Sequence, residues 1–293
     1  MVLTISYKKK MELSDQNSIR RLLESGGFTF KKSLGQNFLV DPTVCPAMAE
    51  AACDGQTGVI EIGPGAGVLT LELAKRAKRV VSIELDERLR PVLAKTLAGY
   101  NNVEFVFSDV MKVDLHALID EKFSDCERVC VCANLPYYIT SPILMMLLES
   151  RLPADSITVM VQKEAAERLC AEVGSRDAGA VTVAVRYYAE SEILFEVGRE
   201  CFYPSPKVDS AVIQLKVTQA PPVTVSNEKK FFALVKACFA QRRKTLCNTV
   251  SNTLGIEKPR IVAALEAIGL SATVRGEQLT MEQLAALSEA IYG

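Results

Sequence analysis

Histidine is nearly absent from this chain, and disulfide and zinc-binding patterns are missing as well. The single histidine among 293 residues, His116, argues against histidine-based metal sites and against Ser-His or Cys-His catalytic triads. The nine cysteines are odd in number and contain no Cys-x-x-Cys pair, so neither a zinc ribbon nor a closed disulfide framework is indicated. We therefore expect reduced, buried cysteines and a cytoplasmic protein.

Neither sign of charge predominates, and long apolar runs are also lacking. Thirty-four Lys and Arg against 35 Asp and Glu give a net charge of −1, which excludes a globally basic surface but allows a local basic patch. The longest unbroken apolar stretch, Ile143–Leu148, is far shorter than the roughly 18 residues of a membrane span. Met1–Lys10 shows no export signal, so a membrane or secreted protein is not predicted.

Short apolar segments alternate with helix-like segments from Asp41 onward. The predicted strands are Gly58–Ile62, Val80–Glu84, Val103–Phe107, Arg128–Ala133 and Ile157–Gln162. The predicted helices between and around them are Pro42–Cys53, Leu69–Arg76, Glu87–Leu97, Ile143–Glu149 and Lys163–Ala171. Buried strands that alternate with helices predict a doubly wound α/β domain, whose parallel sheet is covered on both faces.

The pattern changes after Ala171. Val181–Tyr188 and Val208–Val217 both have strand-like composition with no crossover helix between them, which predicts an antiparallel hairpin at the sheet edge. Gln219–Thr224 contains two prolines and is the predicted linker. Helical periodicity then recurs in Glu228–Ala240, Arg260–Ile268 and Met281–Ile291.

Three segments follow from these patterns. Residues 1–28 form an N-terminal extension with a short helix at Ser14–Ser25. Residues 29–218 form the α/β domain, and residues 222–293 form a small all-helical C-terminal domain.

A glycine-rich turn follows the first predicted strand. In VIEIGPGAGVLT (Val59–Thr70), the glycines at 63, 65 and 67 let the backbone approach a ligand closely at the carboxyl edge of the sheet. Glu84 ends the next strand and is suited to bind ribose hydroxyls. Dinucleotide folds prefer G-x-G-x-x-G, whereas this chain has G-x-G-x-G preceded by Glu61. That acid disfavours a pyrophosphate and suits a ligand with a cationic amino-acid group.

A second informative stretch, Asn134-Leu135-Pro136-Tyr137, follows the fourth predicted strand. These four residues suit the methylation of an exocyclic aromatic amine. The nitrogen of such an amine is a poor nucleophile because its lone pair is delocalised into the ring. The Asn134 side-chain oxygen and the Leu135 carbonyl can accept hydrogen bonds from the amine, while Pro136 holds the loop extended. Tyr137 offers a face on which a flipped-out base can stack. Such a transfer needs positioning rather than a strong general base.

These motifs resemble known families. The glycine turn resembles the first motif of the S-adenosylmethionine-dependent methyltransferases, and N-L-P-Y resembles the N/D-P-P-Y/F motif of adenine amino methyltransferases. The match is closer with the ribosomal RNA adenine N6,N6-dimethyltransferase family and extends from about Ser14 to the C-terminus. The matching segments are KKSLGQNFLVD (Lys31–Asp41), VIEIGPGAGVLT, VVSIELD (Val80–Asp86), NLPYYITSPI (Asn134–Ile143), Gln162–Glu164, FYPSPKVDSAVI (Phe202–Ile213) and QRRKTL (Gln241–Leu246).

The resemblance implies a fold and a cofactor. The fold would be that of the class I methyltransferases, a Rossmann-like doubly wound sheet with an antiparallel edge hairpin, followed by a small helical domain. S-adenosyl-L-methionine would be the cofactor, and no metal is implied. The residues that match the family's cofactor contacts are Asn37, Leu39, Gly63, Gly65, Glu84, Asp109 and Asn134.

The resemblance also implies a substrate. The catalytic loop would be Asn134, Leu135, Pro136 and Tyr137, with Phe202 stacking the target adenine opposite Tyr137. The small-subunit branch of the family dimethylates two adjacent adenines near the 3′ end of 16S rRNA. The implied partner is 16S rRNA within the pre-30S ribosomal subunit, and we expect a monomer without a membrane partner.

Basic stretches agree with an RNA partner. Six Lys and Arg and no acid occur between Lys229 and Ile256, and residues 28–40 contain two lysines and no acid. The predicted RNA-binding residues are Lys32, Arg242, Arg243 and Lys244. The chain departs from the family pattern at Cys247, where a basic residue is common, and at Ala180, where arginine commonly follows the glycine.

Three alternatives compete with this interpretation. The first is a 23S rRNA adenine methyltransferase of the macrolide-resistance type, against which Leu135, QRRKTL and the long helical C-terminus argue. The second is a non-catalytic RNA-binding assembly factor, which has no need of the glycine turn, Glu84, Asp109 and the tetrad together. The third, a nicotinamide dehydrogenase, fails on the glycine spacing.

Overall fold

The structure is a computed structural model that describes residues 37–293. The predicted N-terminal helix Ser14–Ser25 and the predicted RNA-binding residue Lys32 lie outside the described residues.

Strands and helices alternate along most of the described chain. The strands are β1 (Phe38–Leu39), β2 (Thr57–Ile62), β3 (Arg79–Glu84), β4 (Val103–Phe107), β5 (Arg128–Asn134), β6 (Ser156–Gln162), β7 (Ala189–Val197), β8 (Phe202–Tyr203) and β9 (Ser210–Val217). The α-helices are α1 (Val44–Ala52), α2 (Val68–Arg76), α3 (Arg90–Thr96), α4 (Leu115–Lys122), α5 (Thr140–Glu149), α6 (Lys163–Cys170), α7 (Ala180–Tyr188), α8 (Glu228–Cys238), α9 (Leu246–Leu254), α10 (Lys258–Ala267) and α11 (Met281–Tyr292).

Seven strands form one sheet in the order β4-β3-β2-β5-β6-β9-β7. β2 pairs in parallel with β3 on one side and with β5 on the other, and β3 pairs in parallel with β4. The chain therefore builds one side of the sheet first and then crosses to the other side of β2. In parallel sheets this reversal of strand order leaves a crevice at the carboxyl ends of the strands, where ligands bind.

The central strands are buried because their sequences are apolar at almost every position. All six residues of β2 are buried, and β5 buries five consecutive residues after Arg128. Cys130 and Cys132 of β5 lie in this interior, so the prediction that they pack as small buried hydrophobic residues is confirmed. All nine cysteines are free thiols.

The predicted strand Val181–Tyr188 is wrong, because this segment belongs to helix α7. Its residues are buried from Thr182 to Val185 and again at Tyr187 and Tyr188. A helix buried on nearly all sides shows no polar face, so its hydrophobic pattern does not distinguish it from a strand.

The edge pair of the sheet is instead formed by β9 and the strand that directly follows α7, β7. The Thr218 N–H, just after β9, donates to the Tyr188 carbonyl, just before β7, at 2.9 Å. The end of one strand therefore lies beside the start of the other, as in an antiparallel pair. The predicted doubly wound sheet with an edge hairpin is confirmed, with β7 in place of residues 181–188.

The described chain divides into two compact units. The first contains residues 37–138, 158–160 and 197–209, and therefore holds β1 to β5 and β8. The second contains residues 139–157, 161–196 and 210–293. The domain boundaries at 28/29 and 218/222 stay a prediction.

The C-terminal part of the second unit is helical, as predicted. α8, α10 and α11 correspond to the three predicted helices, whereas α9 directly after the QRRKT segment was not predicted. The aromatic rings of Tyr187, Tyr188, Phe231 and Phe232 pack together, with ring centroids 5.1–5.6 Å apart, and join α7 to α8. No helix within residues 37–293 has the length and apolar character that crossing a membrane requires.

Candidate active site

The strand register brings four predicted site residues to one edge of the sheet. Ile62, the last residue of β2, lies opposite Ile83 of β3 and Ala133 of β5. The next residue of each strand or turn is Gly63, Glu84 and Asn134, respectively. Glu84 in turn lies opposite Phe107 of β4, which ends two residues before Asp109. Residues from four separate motifs are thus neighbours in space.

The glycine turn has a backbone conformation that side chains rarely adopt. Gly63, Gly65 and Gly67 have φ values of 72°, 57° and 84°, which lie in the left-handed region that favours glycine. A Cβ on Gly65 would lie 3.3 Å from the Phe38 ring, whereas a Cβ on Gly63 would meet no atom of the described residues within 4 Å. The Phe38 ring therefore packs against the turn at Gly65, whereas none of the described residues packs against it at Gly63.

Glu84 joins the end of β3 to the glycine turn. Its Oε2 accepts a hydrogen bond from the Gly65 N–H at 3.2 Å, and its Oε1 accepts one from the Asp86 N–H at 2.8 Å. Burial raises the pKa of Glu84, and these N–H donors oppose the rise. Each carboxylate oxygen can accept two hydrogen bonds, so the side chain still has acceptor capacity for two ribose hydroxyls.

Asp109 follows β4 and begins a short 3₁₀ turn. Its Oδ1 accepts a hydrogen bond from the Met111 N–H at 3.0 Å, and the side chain is half-buried. One oxygen therefore holds the loop in place, while the carboxylate remains at the edge where the resemblance predicts an adenine amino group.

Three large apolar side chains that we did not predict as site residues stand exposed after these strands. Leu85 follows β3 and is 58% exposed, Met111 lies after β4 and is 45% exposed, and Tyr138 follows the tetrad after β5 and is 61% exposed. Exposed apolar groups gathered at one sheet edge are typical of a surface that a ligand covers. For Leu85, an apolar residue directly after a buried strand was the available signal in the sequence.

The tetrad begins at the last residue of β5. Asn134 is half-buried, and its side chain makes no hydrogen bond within the part of the chain that the structure describes. Leu135 is buried and anchors the loop, while Pro136 and Tyr137 are half-buried. The Asn134 amide therefore keeps its donor and acceptor atoms for a ligand.

A short antiparallel pair joins two distant motifs. β1 pairs with β8, so that Leu39 lies opposite Phe202 and Phe38 opposite Tyr203. The Val40 N–H extends this pairing by donating to the Cys201 carbonyl at 2.8 Å. The segment that carries the predicted cofactor contact Leu39 and the segment that carries the predicted stacking residue Phe202 thus form one structural element.

Leu39 and Phe202 lie in the interior of this element. Leu39 is 3% exposed and Phe202 is 5% exposed. Asn37, directly before β1, is half-buried. The predicted roles of Leu39 as a cofactor contact and of Phe202 as a stacking face stay predictions.

Glu61 does not face the crevice. It is 1% exposed, and its Oε2 accepts a hydrogen bond from the Ser82 hydroxyl at 2.5 Å. Its Oε1 has no hydrogen-bond partner among residues 37–293. Burial raises the pKa of Glu61 to about 7, so this carboxyl group is largely protonated below neutral pH.

The residues at this edge suit S-adenosylmethionine. A nucleoside needs acceptors for its hydroxyl and amino hydrogens and apolar surfaces for its ring. Glu84 and Asp109 offer acceptors, Leu85 and Met111 offer apolar surface, and no atom of residues 37–293 lies within 4 Å of a Cβ placed at Gly63. When bound, the cofactor supplies an electrophilic methyl group on a sulfonium.

The predicted RNA-binding residues of the second unit lie between α8 and α9. Arg242, Arg243 and Lys244 are all exposed. The Arg242 guanidinium donates to the carbonyl of Arg176 at 2.5 Å. Cys247, by contrast, is buried in α9.

The chain is similar to known ribosomal RNA methyltransferases. The sequence model of the family "Ribosomal RNA adenine dimethylase" matches residues 27–291. "Ribosomal RNA small subunit methyltransferase A" of Geobacillus thermodenitrificans is 50% identical over 284 residues, which cover 96% of this chain and 97% of that protein. The protein of the same name in Bacillus licheniformis is 48% identical over 274 residues, covering 92% of this chain and 94% of the relative.

The chain is also similar in fold to solved structures of methyltransferases. A dimethyladenosine transferase from Plasmodium falciparum has a TM-score of 0.70 at 28% identity and covers 85% of this chain and 95% of its own. The 23S rRNA methyltransferase ErmE has a TM-score of 0.65 at 29% identity and covers 87% of this chain and all of its own. The predicted methyltransferase fold and its cofactor, S-adenosylmethionine, are confirmed. This chain belongs to the ribosomal RNA adenine dimethylase family, because the family model matches nearly its whole length and because its relatives are about 50% identical in sequence.

Proposed function

We propose that this protein transfers methyl groups from S-adenosylmethionine to N6 of two adjacent adenines near the 3′ end of 16S rRNA, giving N6,N6-dimethyladenosine. The observation that carries the proposal is the position of the Asn134–Tyr137 tetrad. It begins at the end of β5, directly beside the end of β2, from which the glycine turn continues. The amine acceptor and the cofactor turn therefore meet at one crevice.

Within the tetrad each residue has a distinct task. The Asn134 side-chain oxygen and the Leu135 carbonyl accept hydrogen bonds from the two N–H groups of the adenine amine. The lone pair of the amine nitrogen is then less delocalised into the ring and points at the methyl group. Leu135 anchors the loop through its buried side chain, and Pro136 keeps the backbone extended. Tyr137 and Phe202 hold the adenine ring between them. Orientation supplies the rate enhancement, and the proton leaves from a nitrogen that has become cationic.

The small-subunit substrate is favoured over the large-subunit one by the relatives. The proteins that are 46–50% identical to this chain are named as small-subunit methyltransferases, whereas the 23S rRNA enzyme ErmE is 29% identical. A purely non-catalytic assembly factor is disfavoured because it would not need Glu84, Asp109 and Asn134 together at one edge of the sheet. We further propose that the protein acts as a monomer in the cytoplasm on the pre-30S subunit.

A labelling experiment tests the proposal. The protein is incubated with radiolabelled S-adenosylmethionine and ribosomal subunits from a strain that lacks the modification, and the labelled nucleoside is identified. We expect N6,N6-dimethyladenosine in the small-subunit RNA only. Label confined to large-subunit RNA would assign the macrolide-resistance activity instead, and cofactor binding without label would support an assembly factor.

A further inference from the structure

The second unit contains a basic cleft of about 270 Å³ that the active site does not use. Its walls come from the end of α6, the start of α7, the end of α8 and the segment after α8. The lining residues are Arg168, Ala178, Gly179, Ala180, Val181, Lys236, Phe239 and Arg242. Three of them are cations, none is an acid, and the three cations come from three separate parts of the chain.

Most of this positive charge is not neutralised. Arg168 pairs with Glu164 on the same helix at 2.9 Å, but Glu164 is exposed and does not line the cleft. Arg242 donates to the carbonyls of Arg176 and Ala178, which fix its position without cancelling its charge. Within residues 37–293 no ion pair of Lys236 occurs.

The start of α7 adds backbone donors and space. The Gly179 N–H donates to the Thr182 hydroxyl oxygen at 2.9 Å, but the N–H groups of Ala180 and Val181 belong to the first turn and have no partner within the helix. Because the side chain at position 180 is only a methyl group, the cations remain accessible from the cleft. Cationic side chains together with first-turn N–H groups form a site for an oxyanion.

We propose that this cleft binds a backbone phosphate of the RNA substrate, held by Lys236, Arg168 and Arg242. This proposal rests on the proposed function, because it assigns the cleft as a site at which the second unit binds the substrate RNA. A phosphodiester fits the observations better than a base, since the lining offers several donors but only one aromatic ring, Phe239. It also extends the predicted RNA contact from the exposed Arg242–Lys244 segment into a concave site.

The first test compares two lysines of the second unit. Lys236→Gln removes a cation from the cleft, and Lys258→Gln removes an exposed cation that lies outside both the cleft and the basic region 229–256. Binding to unmodified small subunits is measured over a range of KCl concentrations. We expect Lys236→Gln to weaken binding roughly five- to tenfold near 0.1 M salt and to lower the slope of log K against log [KCl] by about 0.7 to 0.9. Lys258→Gln should change neither value.

A second variant separates binding from folding. Ala180→Asp places a carboxylate in the cleft at the first position of α7, where an acid stabilises the helix dipole. The variant should keep its melting temperature and its affinity for S-adenosylmethionine, and it should bind small subunits more weakly than Lys236→Gln does.

Each outcome decides the proposal. Equal effects of Lys236→Gln and Lys258→Gln, or normal subunit binding by Ala180→Asp, would overturn it. If millimolar inorganic phosphate raises the melting temperature of the wild type but not of Lys236→Gln, while subunit binding is unchanged, the cleft is a free-phosphate site and the RNA assignment is wrong. Failure of the proposed function would look different, because the wild type would then transfer no label to the small subunit.

Discussion

Asn134 and Glu84 show two ways in which single residues are prepared for a ligand. The Asn134 amide has no hydrogen-bond partner in the described structure, so all of its polar atoms are available. Glu84 already accepts two backbone hydrogen bonds, yet a carboxylate can accept about four. Glu84 therefore shapes the glycine turn and can bind a nucleoside at the same time.

Removal of the Asn134 amide should abolish most of the activity. Asn134→Ala deletes the side-chain acceptor that we propose orients the adenine amine, and we expect kcat to fall about 10²- to 10³-fold, as for other preorganised hydrogen-bonding groups. Single-turnover methyl transfer to unmodified small subunits measures the effect. Asn134→Asp keeps an acceptor oxygen of the same size and should retain more activity than the alanine variant. A folded alanine variant with wild-type turnover would refute the role.

Glu61 should make the stability of the protein depend on pH. Its pKa rises from 4.5 to about 7 on burial, so the folded state binds more protons than the unfolded state in this interval. The stability due to this group is fully present below about pH 4.5 and is lost as pH rises through 7, at roughly 1.4 kcal/mol for each unit of the shift.

Glu61→Gln removes this ionisation. We measure the melting temperature of the variant minus that of the wild type by thermal unfolding in matched buffers. This difference should be more positive at pH 8.5 than at pH 5.5. A difference that does not change with pH would show that Glu61 does not titrate in this range.

At the scale of elements, the β1–β8 pair links two segments for which we predict different ligands. Phe38 of β1 packs under the glycine turn in a cluster with Leu89, Val92 and Leu93. Leu39 of the same strand lies opposite Phe202. A change in β1 should therefore affect the cofactor turn as well as the base-binding segment.

This linkage predicts different effects for two buried phenylalanines. Phe38→Leu and Phe231→Leu each shrink a buried aromatic side chain and should each cost on the order of 1–2 kcal/mol of stability. Only Phe38 contacts the glycine turn, so only Phe38→Leu should weaken S-adenosylmethionine binding. Calorimetric titration with the cofactor, well below the melting temperatures, measures both variants. Equal cofactor affinities would mean that packing beneath Gly65 does not shape the turn.

At the scale of the whole molecule, an almost neutral chain carries a concentrated positive region. The net charge is −1, yet residues 229–256 contain six cations and no acid. Local concentration of charge on a neutral chain sets which part of the protein meets a polyanion, and it makes that contact dependent on salt concentration.

Neutralising the exposed basic segment should reduce the salt dependence of binding. With Arg242, Arg243 and Lys244 all changed to Gln, up to three phosphate contacts are lost. The slope of log K against log [KCl] for small subunits should then fall by about 2. The variant Lys258→Gln/Arg275→Gln removes exposed cations from the same unit outside this segment and should leave the slope unchanged. An unaltered slope in the triple variant would place the RNA-binding surface elsewhere.

Prediction from the sequence succeeded where local pattern and tertiary environment agree. β4 was predicted at its observed bounds, Val103–Phe107, and the strands around it were predicted to within one or two residues. It failed at α7, where burial on nearly all sides removes the helical periodicity, and it missed β7, whose polar and charged residues resemble a loop. It also missed α9, whose short helix begins directly after a cluster of charged residues.

The sequence by itself determined the family, the cofactor and the edge at which the site is built. That is possible because parallel strands end at the same edge of a sheet, so motifs that follow buried strands must meet there. Only the tertiary structure decided that Leu39 lies against Phe202, that Glu61 is buried beside Ser82, and that Lys236 shares a cleft with Arg168 and Arg242. These contacts join residues far apart in the chain, and no local periodicity or spacing encodes which distant surfaces will pack together.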